Sequence, residues 1–561
     1  MIVAALIFAG TAGAVELEGD GLLAGASVQT TNELHIRYYR MARPEPGFEA
    51  QFPNLHDYVE QVDRINLLIS KDSLTIGATV DQVALFSNRY ILDGEMMHSW
   101  PLYQDDVLSP FDDALVRLEK LYVQRRFSAV ELAAGDVYAS FGRGIALNIV
   151  KNTDVDVDTS LRGAKAVVRA GQSDLSFVTG LSNPQWISVT NANLSINQDP
   201  RHMVSGARWE RFGLGPVNAG AHAVVYRFAR QEDEGKPSLL RYEEPLDAQV
   251  AGLTLEAPGV GGLDLYAEAD YFRYPGAELR DPETGADDAY AAYASVAAYP
   301  GRLALLLEGR ASKDSERINT FTTPEGWEVA TIPTLEYERV ITEDGAAAVN
   351  SNDLTGARLR ADLRTKWEGV VPYASVAAFR DEDLGGVHFN TSPETIGHAM
   401  LGVSRLGHEL LFRLNAGYRQ DVRDEAAEGA DELLHFDGDV HFPLSEHLAL
   451  ELASDAKRFS WGNNLSQQTD FGELSNSVSV YYKEKLIGIL YQDWSDNELI
   501  QSEGNLSEDV YGAAEIRYKP NSSSTLALFY GAYKAGIRCS GGQCRQLPGF
   551  DGGRLSFQTT F

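Results

Sequence analysis

No stretch of this chain is apolar for long enough to cross a bilayer as a helix, which takes about 20 residues. The one candidate, MIVAALIFAGTAGA, covers only residues 1–14. Cysteine is almost absent: Cys539 and Cys544 are the only two. They sit in GIRCSGGQCRQLPGF with two glycines between them, and two ligands make a poor zinc site. A tight disulfide loop, closed in an oxidising compartment, suits the spacing better. Positive charge is also short. Against 80 Asp and Glu stand 48 Lys and Arg, for a net charge of −32, which argues against nucleic acid, since phosphate binding needs clustered basic residues.

Catalytic signatures are missing too. The chain has no G-x-S-x-G, no H-E-x-x-H and no phosphate-binding G-x-x-x-x-G-K followed by Ser or Thr. Its 11 His are scattered without metal-ligand spacing, so His222 and His435 read as lumen or surface residues. No cofactor is expected, and the chain reads as a non-enzyme.

What the chain does have is alternation. In LDLYAEADY, Leu263, Leu265, Ala267, Ala269 and Tyr271 share one face, and Asp264, Tyr266, Glu268 and Asp270 share the other. In GARLRADLRTKW, Ala357, Leu359, Ala361, Leu363 and Trp367 oppose Arg358, Arg360, Asp362, Arg364 and Lys366. Period two is the signature of strands, because the apolar residues of a helix recur every three or four positions. Short breaks such as 71–72, 171–173 and 300–301 alternate with long polar stretches such as 82–112, 139–160 and 313–353. That asymmetry gives about 24 strands in hairpins, short turns on one side and long loops on the other, as a transmembrane barrel requires. A soluble propeller would show a blade repeat of about 40–50 residues, and none is present.

The expected fold is therefore all-β: one large antiparallel transmembrane β-barrel over residues 33–561. Tyr38, Phe127, Tyr226, Phe272, Trp367, Tyr418, Tyr482, Trp494 and Tyr518 fall near strand ends, where interfacial aromatic belts lie. Residues 1–14 read as a signal peptide cut at Ala12 and Ala14, although no Lys or Arg precedes Arg37; a buried first strand or helix is the alternative. Residues 15–32 then form a periplasmic N-terminal segment.

The last ten residues, GGRLSFQTTF, alternate to the end, with Leu555, Phe557 and Phe561 on one face. This strand resembles the recognition strand of bacterial outer-membrane β-barrels. The resemblance implies that the barrel-assembly machinery reads the terminal aromatic, and that the partners include outer-membrane lipid and lipopolysaccharide. GDVYASFGRGIAL, DTSLRGAKAVVRAG and CSGGQCR also resemble a family of outer-membrane barrels of unassigned function. Both termini would then lie in the periplasm, and the cysteine loop on the cell exterior.

Charged side chains facing lipid near the midplane cost about 2–4 kcal/mol each for Arg or Lys. Asp264, Glu268, Asp270, Arg358, Arg360, Arg364 and Lys366 are accordingly expected to face the lumen. There they would select solutes, as charged rings do in channels, or pair with other charges inside. The segments 82–112, 139–160 and 313–353 are candidates to fill the lumen. Acidic loops (Asp314 to Asp344, and Glu232 to Glu234) would either hold Ca²⁺ or be solvated. The first functional reading is a channel for passive passage of small polar or charged solutes. A non-conducting envelope scaffold whose loops bind a partner is the alternative, and an outer-membrane hydrolase ranks last.

Overall fold

The computed structural model describes residues 15–16, 25–43, 55–87, 114–152, 157–183, 202–228, 246–275, 287–315, 353–382, 393–405, 410–424, 430–460, 470–483, 485–496, 510–534, 536–540, 543–547 and 549–560. Its main sheet is antiparallel and contains no helix among these residues; 24 of its strands close into a barrel. Closure is direct. The first barrel strand, Ser27–Arg43, pairs with the last, Gly549–Thr560, placing Ile36 opposite Leu555 and Leu34 opposite Phe557. A sheet closed this way leaves no row of unpaired amides and carbonyls, which lipid would not tolerate.

The barrel begins at Ser27, six residues before the expected start at 33, so part of the segment assigned to 15–32 is barrel wall. Val15–Glu16 adds a two-residue strand against Ser27 and Val28. Residues 1–14, with Ala12 and Ala14, lie outside the described residues, as does Phe561.

Tight turns fall where the breaks in alternation put them. Asp72 takes a positive φ of 50° at one, Gly171 one of 62° at another, and Gly301 one of 65° at a third. Barrel strands run from 8 residues, Val130–Val137, to 17, Ser27–Arg43 and Leu55–Lys71.

The two faces separate by chemistry. Outside, Leu253, Leu359, Leu401, Leu490 and Leu528 are exposed, forming the apolar band expected toward lipid. Inside, the same strands carry polar and charged side chains among apolar ones, and these become more buried toward the loop ends. On Leu263–Arg273, Asp264 and Tyr266 are half-buried, while Glu268, Asp270 and Phe272 are buried. On Glu394–Arg405 the order runs from buried Glu394, Ile396, His398 and Met400 to half-buried Gly402 and Ser404.

Candidate functional site: a hairpin inside the lumen

The apolar side chains inside the barrel meet a segment that leaves the wall. After Val130–Val137 the chain turns inward through Ala139–Phe141 and Leu147–Ile149, which pair as a short hairpin. Three positive-φ glycines shape it: Gly135 (100°), Gly142 (57°) and Gly144 (99°). Phe141, Ile145, Leu147 and Ile149 are buried against Val224, Tyr226, Val250 and Phe272 of the wall. Tyr226 donates its hydroxyl to the Ala146 carbonyl at 2.5 Å. Tyr226 and Phe272 therefore hold the hairpin from within the lumen and do not belong to the lipid-interface belt. Tyr38, Trp367, Tyr418, Tyr482 and Tyr518 are exposed, as a belt requires.

Of the three segments expected to fill the lumen, 139–160 supplies this hairpin. Residues 88–113 and 316–352 lie outside the described residues, as do Glu232, Asp233 and Glu234.

Polar contacts lock the hairpin's base. The Asp136 carboxylate accepts from the Leu121 backbone N–H (2.7 Å), Asn183 Nδ2 (2.8 Å), Ser160 Oγ (3.1 Å) and Arg162 (3.2 Å). A bulge in the neighbouring strand turns both Glu119 and Lys120 inward. Lys120 Nζ donates to the Asn183 carbonyl (2.7 Å), Ser160 Oγ (2.9 Å) and the Asp158 carbonyl (3.0 Å). Tyr138 donates to Asp158 Oδ1 at 2.5 Å.

The tip is held by the acidic strand that alternation singled out. The Arg143 backbone N–H donates to Glu268 Oε2 at 2.7 Å, and Tyr266 donates to the same oxygen at 2.5 Å. The Arg143 guanidinium stacks over Tyr293, 4.3 Å from the ring centroid. Beside Glu268, Asp270 Oδ1 lies 2.5 Å from His222 Nε2.

The other wall charges are largely paired with one another. Arg358 is buried against Glu308, which also accepts from Tyr293 at 2.6 Å. Arg360 pairs with Asp362 (2.9 Å) and covers Tyr373, while Arg208 pairs with Glu210 (2.6 Å) and Arg413 with Asp439 (3.1 Å). Asp264 faces inward but receives the Gly259 backbone N–H at 2.7 Å, closing a turn. Arg364 and Lys366 depart from expectation. Their strand ends at Leu363, so both are exposed in the turn that follows, because the chain has already left the pleat that would aim them inward. At the opposite rim, Arg380 grips Asp424, just past its strand, and that hydrogen bond holds the carboxyl below its ordinary range.

Sequence reasoning placed Glu268 and Asp270 on one face and read His222 as a lumen or surface residue, but did not bring His222, two strands away, to Asp270. The position of His222 was readable only through register: Gly252, on the strand between, pairs with both His222 and Asp270.

A closed antiparallel barrel with leucine outside and charge inside has the architecture of a transmembrane β-barrel. No family model and no curated protein matches the chain. Among solved structures it is similar to the siderophore receptor PirA from Pseudomonas aeruginosa, at 9% identity and a TM-score of 0.44, covering 95% of this chain and 80% of that one. It is also similar to the outer-membrane protein OpdK from Pseudomonas aeruginosa (15%, TM-score 0.34, 71% and 94%). A third is the P pilus usher PapC translocation pore (8%, TM-score 0.40, 95% and 99%). These likenesses concern the barrel alone.

Proposed function

We propose that the protein is an outer-membrane channel for small polar or charged solutes, with the hairpin at 139–149 narrowing its lumen. The observation that carries this reading is the polar, half-exposed inner wall near the tight-turn ends. It is built of opposite charges set side by side: Arg208 with Glu210, Arg360 with Asp362, Arg413 with Asp439. A wall of paired charges keeps water in the lumen without imposing a single-sign barrier, so conduction with weak ion selectivity is expected. Purified protein in planar bilayers should give stable ohmic openings. A persistently silent bilayer would overturn the channel reading.

One observation favours the envelope-scaffold alternative. The hairpin is seated on a buried apolar cluster, not laid loosely across an aqueous path. A scaffold would stay silent both as the wild type and after deletion of 140–148 with a short glycine linker. For the channel reading, that deletion should raise conductance.

A further inference from the structure

We propose that His222, Glu268 and Asp270 bind one transition-metal dication of the zinc type, and that this ion clamps the lumenal hairpin to the barrel wall. A donor atom from each of the three lies within 4.8 Å of the other two. All three residues are buried, and the side chains of His222 and Asp270 have no exposure at all. Among the described residues, His222 Nδ1, Glu268 Oε1 and Asp270 Oδ2 have no hydrogen-bond partner. Three orphaned polar atoms within one buried cluster are unusual, because buried polar groups are nearly always satisfied.

Charge points the same way. Two carboxylates are withdrawn from water together, and among the described residues neither forms an ion pair with Lys or Arg. Buried charge of one sign is costly unless a counter-charge or a metal accompanies it. Arg143, the nearest cation at the hairpin tip, offers Glu268 its backbone N–H and turns its guanidinium onto Tyr293.

The donor set selects the ion. One imidazole with two carboxylates suits Zn²⁺ or a similar first-row dication, whereas Ca²⁺ prefers six to eight oxygens. Bonds of about 2.1 Å place donors about 3.5 Å apart, which small side-chain movements reach from the present spacing. The surroundings are also those of a metal site. Tyr266 and the Arg143 amide both hold Glu268 Oε2, which orients the carboxylate and leaves Oε1 without a hydrogen bond. Below it, a Cβ on Gly252 would collide with both Asp270 and His222. Glycine there opens the floor on which side chains from two flanking strands meet.

The test uses the full barrel, folded in detergent, stripped with chelator and titrated with Zn²⁺ alone. The wild type should retain one tightly bound equivalent after gel filtration and unfold at a higher temperature with Zn²⁺ than without. D270N and H222Q should each weaken that equivalent by about a hundredfold or more, with circular dichroism confirming the barrel. H398Q, aimed at a separate buried histidine pair (His398 and His435, Nε2 to Nε2 2.9 Å), should leave it unchanged. Zinc retention that survives both D270N and H222Q would overturn the proposal, as would a folded wild type that holds no zinc. Protection of the 139–149 hairpin from protease should also rise with Zn²⁺ in the wild type and not in E268Q. Equal protection in both would refute the clamp.

Discussion

The backbone amide of Arg143 donates to Glu268 Oε2 at 2.7 Å, joining the tip of an inserted hairpin to a strand 125 residues further along the chain. The contact depends on Gly142, whose φ of 57° lies in the left-handed region and whose missing Cβ leaves room for the Glu268 carboxylate. A valine there meets both a backbone penalty of about 1–3 kcal/mol and a collision. Gly142→Val is expected to unseat the hairpin while leaving the barrel folded. Limited proteolysis between 139 and 149 should accelerate at least several-fold. Unchanged cleavage would remove the assigned role of that contact.

Arg358 and Glu308 test whether the inner charges act as pairs. Truncating one member of a buried pair leaves the other uncompensated, at about 3–5 kcal/mol. Arg358→Met should lower the denaturation midpoint clearly. Adding Glu308→Gln should recover most of the loss. Two single losses that merely add in the double variant would show that the pair is not coupled.

Leu253 is 64% exposed near the middle of strand Leu246–Val260. If that face meets lipid, Leu253→Arg should cost about 2–4 kcal/mol of folding stability measured in bilayers. A midpoint in vesicles equal to that of the wild type would contradict the lipid-facing assignment.

Cys539 and Cys544 face each other in register across the hairpin Gly536–Ser540 and Gln543–Leu547. Directly paired antiparallel residues have Cα atoms about 4.5–5.5 Å apart, within the span a disulfide bridges. Alkylation of unreduced protein should therefore modify neither thiol, and labelling of both would rule the disulfide out.

For the final strand, we expect deletion of Phe561 to reduce the amount of barrel reaching the outer membrane, assayed by heat-modifiable migration of membrane fractions. Leu555 and Phe557 continue the apolar outer face there, across from Ile36 and Leu34. Normal assembly of the deletion would end the assembly-address reading.

Strict alternation, interrupted by glycine and proline, was enough to establish an antiparallel barrel and its strand number. Period two leaves an amphipathic strand only one way to face lipid, so local pattern and global fold carry the same information. It failed where the chain departs from the pleat. Arg364 and Lys366 kept the rhythm of their strand on paper after hydrogen bonding had stopped at Leu363. Tyr226 and Phe272 looked like belt residues because position along a strand does not say which wall of the lumen is already occupied. Only tertiary structure put the 139–149 hairpin inside the barrel. Only register across Gly252 brought His222 to Asp270, since residues on two strands that flank a third meet only when both strand pairings are fixed. Short-range pattern decides which way each side chain points, and barrel closure decides what it meets there.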